Sequence, residues 1–254
     1  MNDLSVIIIT LNEEMNIGRI LKDLTRQTCQ NFEVIVVDSN SDDATVPIAK
    51  SFQEQLKSLK IIEMKQRGVS LGRNTGAQKA SCERLLFLDA DTRLNPDFIA
   101  QSLWELEIKG LDVAGVYMNA EGGSWKAKAG VNIFNAGIWT SQFFFPTAVG
   151  ACIFSTRKAH QLIGGFNPEI LLCEDCAYVL EAYKQKRIRY GTLHQSFVFD
   201  LRRLKQDGWF KTGLTYLRAN VRRFFCGETK GDRYHYKFGH YNGAEMQQAE
   251  PYHV

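Results

Sequence analysis

A chain of 254 residues with 31 Lys+Arg against 28 Asp+Glu has a formal charge of +3, too small for a global field that would hold nucleic acid. With 44% hydrophobic and 23% charged residues, the composition is that of a globular protein, not a disordered or polytopic one. Six cysteines are too few for a disulfide scaffold, and Met1 to Thr10 lacks the basic flank and cleavage site of a signal peptide, so a reducing, cytoplasmic setting is expected.

Ser5 to Thr10 is a short β-branched run and predicts a buried central parallel strand. From Asn12 or Glu13 to Gln27, the spacing of Ile17, Ile20, Leu21 and Leu24 predicts an amphipathic helix. Glu33 to Val37 reads as the second strand, Asp38 to Asp43 as a turn and Ala44 to Leu56 as a helix. Lys60 to Glu63 and Gly68 to Ala80 repeat the strand and helix, as do Arg84 to Leu88 and the helix that Asn95-Pro96 opens. Four such alternations predict an α/β fold, a parallel sheet covered on both faces that binds ligands at the carboxyl ends of its strands. Asn12-Glu13-Glu14, Asp38 to Asp43 and Asp89-Ala-Asp91 each fall at such an end.

Beyond Asp112 the pattern is less regular. Val113 to Val116 and Ala148 to Phe154 read as strands, Asp175 to Lys186 as a helix and Leu204 to Phe225 as a long basic helix. Ala129 to Thr156 holds no charge, yet Asn132, Asn135, Thr140, Ser141, Gln142 and Pro146 interrupt it, so a buried strand with an apolar surface loop is expected rather than a membrane span. With no linker or repeat, the expectation is a single domain over residues 1–226, its halves meeting near residue 110, and a tail from 227 to 254.

Asp89 and Asp91 end a buried strand, where two carboxylates are costly unless a cation lies between them. Hard oxygen donors suit Mg²⁺ or Mn²⁺ completed by substrate phosphate. Glu174-Asp175 is a second carboxylate pair, readable as a catalytic base or as charge at a helix N-terminus. Cys173 and Cys176 bracket that pair, but no second cysteine pair completes a zinc site, and they read as packing residues. A dinucleotide Gly-rich turn, a P-loop and a Gly-x-Ser-x-Gly elbow are all missing from the sequence, which excludes those enzyme classes.

Five blocks in order resemble family-two glycosyltransferases of the GT-A fold. They are Val6 to Glu14, Gln27-Thr28 with Phe32 to Thr45, Gly72-Arg-Asn-Thr-Gly76, Leu86 to Thr92, and Gly164-Gly-Phe-Asn with Glu174-Asp175. The resemblance implies a nucleoside diphosphate sugar donor, a divalent cation and inversion at the anomeric carbon. It also implies that Asp38 bonds the nucleobase, that Thr10, Asn12 and Glu14 line the nucleotide pocket, and that Arg73 lies near base and phosphates. Asp89 would face ribose or donor sugar, Asp91 would bind the metal, and Asp175, with Glu174 beside it on the acceptor side, would be the base. His194 is a candidate third metal ligand or a hydrogen-bonded structural residue, and Arg202 and Arg203 are candidate phosphate contacts or plain surface charge.

The acceptor is expected to be a glycan or a lipid-linked molecule. Phe210, Leu214, Leu217, Val221 and Phe224 recur at helical spacing among Lys205, Lys211, Arg218, Arg222 and Arg223, with only Asp207 opposing. Such a helix either packs into the core or lies on an anionic membrane surface, and Trp139 with Phe143-Phe-Phe145 favours peripheral attachment. Two rivals remain: a nucleotidyltransferase, which would release pyrophosphate, and a non-catalytic sugar or nucleotide binder, against which Asp91 and Asp175 speak.

Overall fold

The computed structural model describes residues 3–120, 123–198, 209–228 and 231, with the backbone alone for 209–217. Its centre is a seven-stranded sheet of order β3-β2-β1-β4-β6-β5-β7. The strands are β1 (Leu4–Thr10), β2 (Phe32–Asp38), β3 (Leu59–Glu63), β4 (Arg84–Asp89), β5 (Val113–Asn119), β6 (Cys152–Thr156) and β7 (Tyr190–Val198). β1 pairs in parallel with β2 and β4, and β5 with β7, while β6 runs antiparallel to both its neighbours. The expected α/β layering is therefore present, with one reversed strand that the alternation of the first half gives no hint of.

Eight helices among the described residues flank the sheet: α1 (Ile17–Thr25), α2 (Thr45–Lys50), α3 (Val69–Lys79), α4 (Phe98–Lys109), α5 (Trp125–Ser141), α6 (Arg157–Ile163), α7 (Glu174–Lys184) and α8 (Trp209–Cys226). One face of the sheet is covered by α1 and α4, through Ile17, Ile20, Leu21, Phe98 and Ile99, and α5 joins them with Ala127 and Val131. The other face is covered by α3, α6 and α7, through Ala77, Ala159, Tyr178 and Val179. β1, β2 and β4 are apolar on both faces because both are covered, the case in which hydrophobic alternation disappears.

Several boundaries move for local reasons. α1 starts at Ile17, not at Asn12 or Glu13, because residues 12–14 bond to the loop after β2 and Asn16 donates to Glu13 Oε2 at 2.6 Å. α2 stops at Lys50, where Ser51 Oγ donates to the Ile48 carbonyl. The largest departure is α5, seventeen residues of helix where an apolar surface loop was expected. Ser124 caps it by accepting from the Ala127 amide, and Asn135 clamps it to the sheet by bonding both the amide (3.1 Å) and the carbonyl (2.8 Å) of Met118. β5 pairs with β6 only at Ala114 and Gly115, so the Asn135 amide takes the place of the missing strand partner.

Arg202, Arg203, Lys205 and Asp207 lie outside the described residues, as does the tail apart from Gly227, Glu228 and Gly231. No helix among the described residues is long and apolar enough to cross a membrane.

Gly76 marks the tightest approach of α3 to the sheet: a Cβ there would penetrate the Ile7 side chain and stand 3.2 Å from Val37 Cγ2. Gly76→Ala should lower unfolding free energy by about 1–3 kcal/mol, the usual cost of overpacking. Urea denaturation checks this, and unchanged stability would mean that α3 is free to shift.

Candidate active site

Register brings the polar strand ends to one edge. Thr10 pairs with Asp38 across β1 and β2, and Ile9 pairs with Asp89 across β1 and β4. Because β6 is reversed, it presents its amino end here, and the Ala151 carbonyl accepts from the Asp89 amide.

The loops after β1 and β2 form one bonded unit. Asp38 is buried and accepts from Thr10 Oγ1 at 2.8 Å, the Ser41 amide at 2.8 Å and Ser41 Oγ at 2.5 Å. Asn12 receives the Asp42 amide and donates its own amide to Ser41, while Glu14 Oε2 receives the Ala44 amide. The non-glycine residues with positive φ among the described ones are Asn12 (55°), Asn40 (63°) and Cys173 (65°). All three sit at this edge or at the start of α7, where strain is held by surrounding bonds.

Arg73, on α3, departs most from its expected place. It does not reach out to a base or phosphate but lies buried beneath the edge. Nη1 donates to Glu174 Oε1 at 2.7 Å, and Nη2 donates to Asp89 Oδ1 and the Gly150 carbonyl, each at 3.0 Å. Burial alone would lower its pKa, but Asp89, Glu174 and Asp175 outweigh this and hold it charged. The guanidinium lies 5.0 Å from the Phe166 ring centre, and Phe166 stacks on Tyr178 at 4.1 Å. Tyr178 in turn meets Ser155 Oγ at 2.8 Å and His160 Nδ1 at 3.1 Å. Burial pushes the His160 pKa down to about 4, so this imidazole is neutral.

Asn74, the residue after Arg73, bonds the backbone of Phe166 in both directions at 2.8 Å. The Gly164-Gly-Phe turn fits under it because Gly165 has φ +77° and a Cβ there would stand 2.7 Å from Asn74 Oδ1. Two sequence blocks about ninety residues apart are thus one clamp.

Glu174 is buried and anchors Arg73. Asp175 is partly buried and accepts from the Gly150 amide at 2.6 Å and the Cys176 amide at 2.7 Å. Burial, then the neighbouring Asp175, raise the Glu174 pKa to about 7 against the pull of Arg73. Burial likewise raises that of Asp175. Gly150 escaped sequence reasoning. A Cβ there would fall 2.8 Å from Arg73 Nη2 and 2.9 Å from Asp175, yet nothing in Val149-Gly-Ala151 signals this.

Cys173 and Cys176 are buried free thiols packed with Leu172 and Ala219, in keeping with a packing role. His194 does not gather with the aspartates. It lies on β7, four residues before the Val198 that meets Arg93, and its Nδ1 is 2.6 Å from Glu105 Oε1. No group of three His, Cys, Asp or Glu residues among the described ones could hold a metal ion. Asp89 and Asp91 therefore offer two hard oxygen donors at most, which fits an ion of the Mg²⁺ or Mn²⁺ kind that takes its remaining ligands from diphosphate and water.

Comparison with known proteins agrees with this geometry. The chain is 37% identical over 114 residues to the glycosyltransferase AglE of Haloferax volcanii, a match covering 44% of this chain and 38% of that protein. In fold it resembles the mannosyltransferase PcManGT from Pyrobaculum calidifontis, solved with GDP-Man and Mn²⁺, with a TM-score of 0.71 at 19% identity over 89% of this chain and 65% of the other. TarS of S. aureus in complex with UDP-GlcNAc gives a TM-score of 0.62 at 20% identity, over 77% of this chain and 58% of that one. The chain thus spans less than two thirds of each of these proteins. The family described as Glycosyl transferase family 2 matches residues 5–158, more than half of the chain, and with the α/β sheet and GT-A likeness this establishes that the chain belongs to that family.

Proposed function

We propose that the protein is a metal-dependent inverting glycosyltransferase that moves a hexose-type sugar from a nucleoside diphosphate to an acceptor hydroxyl. The carrying observation is the convergence of Asp89, Glu174 and Asp175 on one buried arginine at the carboxyl edge of the sheet. The neighbours solved with UDP-GlcNAc, or with GDP-Man and Mn²⁺, support a nucleotide-sugar donor and a divalent ion. The bonded loops after β1 and β2, with Thr10, Asn12, Glu14 and Asp38, form the wall against which the nucleotide lies. Asp91, with Asp89 beside it, holds the ion, which when bound offsets charge developing on the leaving diphosphate. Asp175 takes the proton from the acceptor hydroxyl while that hydroxyl's oxygen bonds the anomeric carbon, and the electrons of the breaking sugar–phosphate bond leave with the diphosphate. The Gly150 and Cys176 amides fix the Asp175 carboxylate in place for that transfer. A nucleotidyltransferase lacks support because no glycine-rich loop follows β1.

Asp91→Asn should abolish Mn²⁺-dependent binding of nucleotide sugar in calorimetry, and retained affinity would remove Asp91 from the metal site. Asp175→Asn should keep donor affinity and lose turnover by about 10²-fold or more. Since burial holds the Asp175 carboxyl protonated to higher pH than an ordinary aspartate, turnover of the parent enzyme should rise with pH above the usual carboxylate range. A rate flat from pH 5 to 9 would contradict the assignment of the base.

The acceptor we infer to be presented at a membrane surface, cytoplasmic in location. Phe143, Phe144, Phe224 and Phe225 are 65%, 61%, 53% and 77% exposed and form a continuous aromatic ridge, with Phe224 5.2 Å from Phe145 and 5.1 Å from Phe225. Among the described side chains of α8 it is Ala219 and Arg223 that are buried, while Val221 and Phe224 are exposed. Arg223 drops out of the expected basic face, being buried, paired with Glu228 at 2.8 Å and lying over Phe145. Vesicles of phosphatidylglycerol and phosphatidylcholine should co-sediment the protein at low salt, and Phe143→Ser with Phe144→Ser should release it. Absence of binding, or binding indifferent to those substitutions, would refute surface attachment.

A further inference from the structure

A cavity of about 620 Å³ opens between α5 and the β5–β7 edge, lined in part by Asn119, Asn132, Asn135, Trp139, His194 and Ser196. It shares Asn119 and Asn132 with a second hollow of about 510 Å³ that reaches Asn95 and Lys128, so the two form one groove. Each part is of the size that small ligands fill.

The lining has an unusual chemistry. Among the described residues it is rich in carboxamides, holds one flanking indole and contains no carboxylate. Asn119 and Asn132 make no side-chain hydrogen bond among the described residues, while each amide can both donate and accept. Trp139 is 57% exposed and stands edge-on to Phe143, which steadies the indole and leaves it an open apolar face.

His194 completes the set. Its Nδ1 faces the Glu105 carboxylate, which also receives the His194 amide at 2.9 Å and Lys109 Nζ at 2.6 Å. Burial would raise the Glu105 pKa, yet Lys109 and the His194 contacts hold it below the usual range, so it stays an acceptor facing Nδ1. The rest of the imidazole ring is exposed towards the groove. The groove floor is fixed by the Asn135 clamp on Met118 and by the irregularity in β5–β7 pairing between Gly115 and Tyr117.

Hydroxyl groups that donate and accept in adjacent pairs, on a ring with an apolar face, match such a lining. Among the described residues no carboxylate lines the groove to meet a cationic ligand, and Lys128 adds positive charge. Register also gives the direction of the groove. Gly115 is level with Ile153, and Ile153 with Phe87. Asn119 therefore ends β5 two strand spacings, about 10 Å, to the side of the strand end that carries Asp89, and about two residues above it.

We propose that this groove binds an uncharged oligosaccharide chain, the extended part of the acceptor whose end is delivered to the Asp175 carboxylate. The proposal rests on the transferase reading for its role, but binding in the groove requires neither donor nor ion.

Maltotetraose, mannotetraose and chitotetraose serve as probes in saturation-transfer NMR and calorimetry on the full chain, without metal or nucleotide. At least one should bind saturably, and Asn132→Leu and Trp139→Ala should each weaken it at least tenfold while nucleoside diphosphate binding with Mn²⁺ stays unchanged. Failure of all three to bind, binding indifferent to both substitutions, or displacement of the sugar by UDP or GDP would each overturn the proposal. Failure of the transferase reading would appear separately, as an absence of nucleotide-sugar turnover in the parent protein.

Discussion

The site depends on a single buried cation. Arg73 is out of water and would be intolerable there without Asp89 and Glu174, while those carboxylates would be equally costly without Arg73. The stabilisation is therefore conditional: each partner is acceptable only while the others hold position, and removal of one leaves an uncompensated charge. That mutual dependence joins α3, β4 and α7, elements far apart in sequence, and it fixes where Asp89 and Glu174 stand relative to each other. The aromatic stack of Phe166 and Tyr178 beneath the guanidinium limits its lateral movement.

Most of the donor half was legible because it follows simple periodicities. β1, β2 and β4 are largely aliphatic and β-branched runs, broken only near their starts by the bonded pair Ser5 and Glu33 and by Arg84, and each polar cluster after them falls at the sheet edge. What escaped reading shares a different character. Asn135 looks like an interruption in an apolar stretch, yet it is the group that satisfies Met118 where β6 falls short. Gly150 matters only because two side chains from elsewhere crowd its Cα. Arg223 reads as one charge of a basic helix face and is buried, and neither it nor Arg73 carries a local sign of the carboxylates that enclose it. Such roles are set by tertiary contacts, which periodicity cannot carry.

His194 illustrates the same limit from the other side. A histidine late in the chain is a reasonable candidate metal ligand, but strand order puts it three strands across from Asp89 and a carboxylate from α4 occupies its Nδ1. The two halves also differ in how they are built. The donor loops are bonded to each other residue by residue, whereas the acceptor side is assembled from a helix, a reversed strand and the terminal half of α8 meeting around Cys173, Cys176 and Ala219.

The reversed strand has one more consequence. Because β6 enters from the edge at which β5 leaves, the chain between them, 120–151, both departs from and returns to the same side of the sheet. Loop closure grows only slowly more costly with length, so the stretch inside this excursion that carries Phe143 and Phe144 can change length at little entropic cost. Its flanks are fixed by contrast, because Asn135 bonds Met118 and Gly150 bonds both Arg73 and Asp175.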